Sequence, residues 1–226
     1  MNFVAKAATS TIPIVFSMAG DPFARGLVAS LNRPGGNLTG VTWLLVLLNA
    51  KRLQLLHELV PAVTDVAHLV YPFPRLQANL KPVEDEARRL GLRLIVEPAT
   101  TDVEIEAAFT TFVQRRAGAL LCAAYPFFDV RRERIAALSA RHRLPAIYGF
   151  RQYVDAGGLM SYGPDIADVY RHLGVYAGRI LKGAKPADLP VLQPTKFDLV
   201  INRMAAKELG IAVPQSLLLR ANEVIE

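Results

Sequence analysis

The side chains that carry most enzyme chemistry are few and scattered in this chain. Its four histidines, His57, His68, His142 and His172, show neither an HExxH pattern nor any paired-ligand spacing. His57 and His142 fall in helical patterns among charges, His68 in a strand-like run and His172 in a long helical pattern, so each reads as a surface or structural residue. Cys122 is the single cysteine, which excludes an intramolecular disulfide and a cysteine metal cluster. It sits in the apolar run Ala119–Ala123 as a small buried hydrophobe. A Gly-x-Ser-x-Gly elbow, a Walker A loop and a dinucleotide fingerprint are all missing. The expectation is no catalytic residue, no metal and no cofactor. The tripeptide Asn37-Leu38-Thr39 matches a glycosylation sequon, a pattern too short to carry weight.

Aromatic and polar residues cluster instead where strands are expected to end. Ligands of open parallel sheets bind beyond the carboxyl ends of the strands. Those places here hold Ser17-Met18-Ala19-Gly20-Asp21, Tyr71-Pro72-Phe73-Pro74, Tyr125-Pro126-Phe127-Phe128 and Tyr148-Gly149-Phe150-Arg151. Aromatics are 8% of the chain, yet they recur in three of these four loops. Walls of Tyr71, Phe73, Tyr125, Phe127 and Tyr148, with Arg151 and helix N-termini nearby, suit a small aromatic or apolar carboxylate. Arg151 could take the carboxylate through a bidentate contact or serve a surface ion pair. Asp21 could meet a ligand amine or cap its own helix. Thr42 could offer a hydroxyl or be a plain strand threonine.

The elements that must position these residues alternate between strand and helix. Runs Ile12–Phe16, Val66–Val70, Leu92–Val96, Ala119–Ala123 and Ala146–Tyr148 read as buried strands, most followed by turn residues and a helix, as in parallel βαβ units. Thr101 to Glu104 spells a capping box, after which Ile105, Ala108, Phe109, Phe112 and Val113 keep helical spacing. Asp165 caps a helix whose apolar face is Ile166, Val169, Tyr170, Leu173, Ala177 and Ile180, stopped at Gly183. Asp21-Pro22 predicts a helix start, with the end before Pro34-Gly35-Gly36. Leu76, Leu80, Val83, Ala87 and Leu90 predict a helix that starts late or kinks at Pro82. Pro186–Pro194 reads as extended, Phe197–Ile201 as a late strand, and Arg203–Leu209 as a helix ended by Gly210.

Composition fits this α/β reading. A chain of 226 residues that is 52% hydrophobic can bury a sizeable core, so disorder is excluded. Its longest apolar stretches fall far short of the roughly 20 residues that cross a bilayer. The net charge of +6 arises from groups such as Arg131-Arg132-Glu133-Arg134, in which basic residues flank an acidic one. These are solvated helix faces, and no nucleic-acid partner is expected. Met1-Asn2-Phe3-Val4-Ala5-Lys6 lacks the form of a secretion signal, so the literal reading is cytoplasmic.

Longer segments resemble a known family. Gly20-Asp21-Pro22, the run from Leu27 to Val41 (Leu-Val-Ala-Ser-Leu-Asn-Arg-Pro-Gly-Gly-Asn-Leu-Thr-Gly-Val), Ala50–Leu53, Pro126–Phe128, Leu144–Tyr148, Ala156–Gly163, Leu189–Val191, Phe197–Asn202 and Ala206–Gly210 resemble, in order, periplasmic substrate-binding proteins of ABC transporters. The match is to the tryptophan-binding-protein-like group with the type I periplasmic-binding fold. The resemblance implies two Rossmann-like lobes with parallel sheets, a small-molecule ligand in the cleft between them, closure on binding and docking on an ABC permease. It implies a periplasmic location, against the literal N-terminus, and no catalysis. The lobes are expected at 1–64 plus 158–190 and 65–157 plus 191–226, the first incomplete because relatives carry further strand–helix units before the segment resembling Thr11–Phe16. Sheet edges left open by that difference would favour a homodimer. Tyr71 and Tyr125 stand where relatives commonly have Asn and Asp, so ligand identity does not carry over, although an aromatic or amino-acid-like ligand still fits. A ligand-sensing regulatory module of the same fold is the alternative. An enzyme of the two-cysteine racemase kind is opposed by the lone Cys122.

Overall fold

The computed structural model describes residues 2–43, 45–72 and 76–226. In chain order the elements are α1 (Asn2–Ala8), β1 (Ile14–Met18), β2 (Leu38–Thr42), α2 (Leu45–Leu59), β3 (Asp65–Val70), α3 (Leu76–Arg89), β4 (Arg93–Pro98), α4 (Asp102–Gln114) and β5 (Ala119–Cys122). They continue with α5 (Pro126–Asp129), α6 (Arg132–Arg141), β6 (Ala146–Tyr148), α7 (Gln152–Asp155), β7 (Met160–Gly163), α8 (Ile166–Leu181), a 3-10 turn at Pro186–Asp188, β8 (Asp198–Asn202), α9 (Arg203–Leu209), α10 (Gln215–Leu218) and β9 (Glu223–Ile225). Two compact units result. One comprises Met1–Leu45 with Pro164–Phe197, the other Val46–Gly163 with Asp198–Glu226.

These limits differ from the lobes expected on sequence. Nearly all of α2 belongs to the larger unit, because its Leu53, Leu56 and Leu59 pack with Val66 and Val70 of β3 in one core. The return to the smaller unit falls after β7, since Met160 and Ser161 pair with Ile147 and Tyr148 of β6.

The smaller unit holds β1 and β2 as a parallel pair in register from Ile14–Leu38 to Met18–Thr42, with a parallel bridge from Val41 to Leu192. Its core is Phe16, Met18, Leu27, Val28, Leu38 and Val191. Gly40 is required: a Cβ there would sit 2.0 Å from the Phe16 carbonyl oxygen. Asp165 caps α8 by accepting from Ala167 N at 2.8 Å, as its sequence predicts. The buried stripe of that helix is narrower than expected. Val169 and Tyr176 are buried while Tyr170 is 61% exposed. The helix expected after Asp21-Pro22 does not extend. Asp21 Oδ1 does accept from Phe23 N and Ala24 N at 2.8 and 3.1 Å, but Gly26 at φ +71° closes the segment as turns.

The larger unit is built on a seven-stranded sheet in the order β4-β3-β5-β6-β7-β8-β9, parallel except between β7 and β8. Side-chain alternation sorts its residues onto two cores. Val66, Val70, Leu121 and Ile147 face α2 and α3, whereas Ala67, Leu69, Leu120, Cys122 and Tyr148 pack with Ile105, Phe109 and Phe112 of α4 and Ile135 of α6. The helix α3 runs through Pro82 rather than starting after it. At α4, Thr101 Oγ1 accepts from Glu104 N at 3.2 Å, and the Glu104 carboxylate reaches one residue further back, to the N–H and hydroxyl of Thr100. Helix α9 is capped by Asn202 and ends at left-handed Gly210, φ +74°.

Candidate functional site

The larger unit presents an aromatic platform at the carboxyl ends of two neighbouring strands. Leu69 of β3 lies beside Cys122 of β5, so the residues that follow each strand emerge side by side. Tyr71 and Tyr125 stack there with ring centroids 4.0 Å apart and planes 12° from parallel. Phe127 leans on Tyr71 at 5.5 Å. All three are half-buried: they cover the sheet end from below and leave aromatic surface above. Phe127 is held from behind by the Arg131 guanidinium, 3.9 Å from its ring centroid. Burial beside Tyr71 raises the Tyr125 hydroxyl above its ordinary value. Another expected wall, Phe73, lies outside the described residues.

A buried polar cluster lies along the same strand ends. Arg52 of α2 is fully buried, and its Nε and Nη1 donate to the Tyr162 carbonyl and to Asn49 Oδ1, each at 2.7 Å. Two glycines clear its place. A Cβ on Gly149 would meet Ala124 Cβ at 2.5 Å and one on Gly163 the Gly149 carbonyl at 1.9 Å, each with Arg52 Nη2 next at 3.3 and 3.4 Å. Burial lowers the Arg52 pKa to about 10, against the opposing pull of Cys122 and Asp129. The guanidinium therefore stays charged at neutral pH. Asp129, the last residue of α5, accepts from the Tyr153 hydroxyl at 3.3 Å. Burial pushes its carboxyl up to about 7, with Tyr153, Arg52 and Arg132 pulling the other way. Desolvation likewise pushes the Cys122 thiol up and keeps it an inert core group.

Neither Arg52 nor Asp129 stands out as a site residue in the sequence reading. Arg52 did leave a signal. It occupies the helical stripe that also contains Leu45, Leu55, Leu56 and Leu59, where a charged residue is buried only if it is satisfied.

Four expected site residues have other roles. Tyr148 is fully buried. It follows Ala146 by one strand period and so points into the core beside α4 and α6, where its hydroxyl donates to Ser139 Oγ at 3.0 Å and its ring stacks on Tyr153 at 4.4 Å. Arg151 makes the bidentate contact expected of it, but with Glu223 at the start of β9, and its Nε also holds Asp155 at 3.2 Å. In the smaller unit, the fully buried Thr42 donates its hydroxyl to the Gly20 carbonyl at 2.7 Å. Asp21 is exposed beside it, with Oδ1 turned back to its own turn. Among the described residues no group of three or more His, Cys, Asp or Glu side chains could hold a metal ion.

Comparison with known proteins identifies the family and the fold. Residues 2–225 match the sequence model of the family described as ABC transporter substrate binding protein. A tyrosine-binding protein of Clostridioides difficile (strain R20291) is 24% identical over 212 residues, 90% of this chain and 59% of that protein. The chain thus spans about three-fifths of the length of this curated relative. A conserved domain protein from Vibrio cholerae superposes with a TM-score of 0.86 at 26% identity, over 99% of this chain and 75% of that one. An ABC domain from Streptococcus pneumoniae, solved with L-Trp, gives 0.84 at 27% identity over 97% and 76%. The mostly parallel α/β architecture is that of the type I periplasmic-binding proteins. Among the described residues no helix is long and apolar enough to cross a membrane.

Proposed function

We propose, from the premise that this chain belongs to the ABC transporter substrate-binding protein family, that it binds an aromatic, amino-acid-like solute on the strand-end platform of its larger unit and hands it to a membrane permease of an importer. The observation that carries the ligand class is the stacked, half-buried Tyr71–Tyr125 pair with Phe127 beside it. A ring laid on such a platform gains burial of apolar area plus about 0.5–1.5 kcal/mol from ring–ring geometry. The names of two relatives, one tyrosine-binding and one solved with L-Trp, support the same class. Membership of the family supports delivery to a permease, a periplasmic location and a role without catalysis. The regulatory alternative has no observation of its own in its favour.

Titration calorimetry with L-tyrosine and L-tryptophan against L-leucine and ribose tests the ligand class. Saturable binding of an aromatic amino acid, weakened tenfold or more by Tyr125→Ala, is the expected result, a change of about 1.4 kcal/mol. Preference for leucine or ribose, or indifference to Tyr125→Ala, overturns it.

A further inference from the structure

We propose that Arg131 is a positioning residue of the aromatic platform: its guanidinium clamps the Phe127 ring beside Tyr71 and so fixes the surface on which a flat ligand ring is laid. This rests on the aromatic-ligand reading above and deepens it. Phe127 is a platform residue that its own element holds poorly. It is carried by α5, a single turn of four residues, and so short a helix is marginal by itself. The Phe127 ring is half-buried. It meets Tyr71 at 5.5 Å and 52° and the fully buried Phe128 at 5.4 Å and 67°, so neither aromatic neighbour lies flat on it. The Arg131 guanidinium does cover it, with its central carbon over the ring, 3.9 Å from the centroid.

The clamp is itself fixed at two further points. Arg131 Nη1 donates to the Phe127 carbonyl at 3.1 Å, so one guanidinium grips both the main chain and the ring of the same residue. Its Nε pairs with Asp102, the first residue of α4. Asp102 also takes Arg134 Nη1 at 3.3 Å, and Arg134 Nη2 reaches Glu106 at 2.9 Å. Ion pairs thus run from Phe127 to a helix whose Ile105, Phe109 and Phe112 are buried in the core. A planar fork of donors can serve a carbonyl, a carboxylate and a ring face in fixed directions, which an ammonium on a flexible stem cannot do. The Arg131 and Asp102 side chains keep 30% and 45% of their exposure, and ion pairs that exposed add little to stability. What the arrangement gains is a ring held in one orientation. Contacts between rings depend on orientation, and a ring ordered before the ligand arrives has no ordering left to lose on binding.

The test is titration calorimetry on the full chain with L-tyrosine and L-tryptophan, using the wild type, Arg131→Gln, Arg131→Lys, Phe127→Leu and the double variant Arg131→Gln/Phe127→Leu. Arg131→Gln is expected to weaken both amino acids by about fivefold or more. Arg131→Lys, which keeps the charge and loses the fork, should weaken them to a similar extent. In the Phe127→Leu background Arg131→Gln should change affinity by less than about twofold, because a clamp has nothing to act on once its ring is gone. Unchanged affinity in Arg131→Gln, full affinity in Arg131→Lys, or an undiminished loss in the Phe127→Leu background overturns the positioning role. The aromatic-ligand reading then still stands or falls on Tyr125→Ala. If the wild type binds neither amino acid, both readings fall. A cooperative melt of Arg131→Gln near the wild-type temperature separates lost recognition from lost folding. Should that variant not fold, Asp102→Asn releases the same guanidinium from α4 and should weaken both ligands by about twofold or more, whereas unchanged affinity there overturns the proposal.

Discussion

The larger unit contains two stacked tyrosine pairs set in opposite surroundings. Tyr71 and Tyr125 meet at 4.0 Å and 12°, Tyr148 and Tyr153 at 4.4 Å and 9°. Ring geometry does not separate them. Burial and hydroxyl partners do. The second pair is sealed in the core, with its hydroxyls committed to Ser139 and Asp129. The first pair sits half-buried at the strand ends. A stacked tyrosine pair is therefore offered at the surface or sealed in the core according to where its residues leave the strands. Asp129 links the two, bonded to the inner pair and one turn from the outer one.

The contrast is broken most sharply by truncation. Tyr148→Ala removes a fully buried ring and the hydrogen bond it gives Ser139, whose own hydroxyl still donates to the Ile135 carbonyl, so chemical denaturation should show a loss of about 3–5 kcal/mol. Tyr125→Ala should cost under about 1 kcal/mol of stability while weakening an aromatic ligand at least tenfold. Equal stability losses in the two variants would erase the distinction between the pairs. Arg52→Ala comes next. It leaves the Asp129 carboxyl without its nearest buried cation and opens a cavity, with an expected loss of about 3 kcal/mol.

The pH dependence of stability sharpens the role of the carboxyl. Raised to about 7 from its ordinary value of 3.8, it binds more protons folded than unfolded across that range. Its contribution to stability is therefore full below about pH 4, lost progressively as pH rises to 7, and constant beyond. Asp129→Asn should accordingly melt higher than the wild type at pH 8, and that gain should shrink as pH is lowered towards 4. A gain that grows towards acid pH would show that the carboxyl is not held protonated. The smallest effect belongs to His68, buried in the core facing α2 and α3, with neither ring nitrogen bonded and its pKa lowered by burial to about 3. His68→Leu, which removes two unsatisfied polar atoms, should leave the melting temperature unchanged or raise it, within about 1 kcal/mol. A large loss would mean that the ring has a partner such as a buried water.

Much of the fold was legible locally. The capping threonine of α4, Asp165 before α8 and Gly210 after α9 act as their residue types and spacing dictate, because a cap is satisfied within four residues of chain. The strands β3, β5 and β6 were visible as apolar runs because they are covered on both faces, and the edge strand β4 as a run centred on buried Ile95. The short strands β2, β7 and β9 were not, since Leu38–Thr42, Met160–Gly163 and Glu223–Ile225 carry glycine or polar residues and become strands by pairing with distant partners.

The site divides the same way. Sequence by itself determined that aromatic residues follow β3 and β5 and that these ends face one side of the sheet, because strand–helix alternation fixes the direction of parallel strands. Only the tertiary structure decided which of those aromatics are offered outward. The side-chain period of two turned Tyr148 inward, pairing across 72 residues gave Arg151 to Glu223, and the docking of α2 placed Arg52 beneath the ends of β6 and β7. Each of those outcomes depends on contacts between residues far apart in the chain, where spacing along the sequence carries no information about distance.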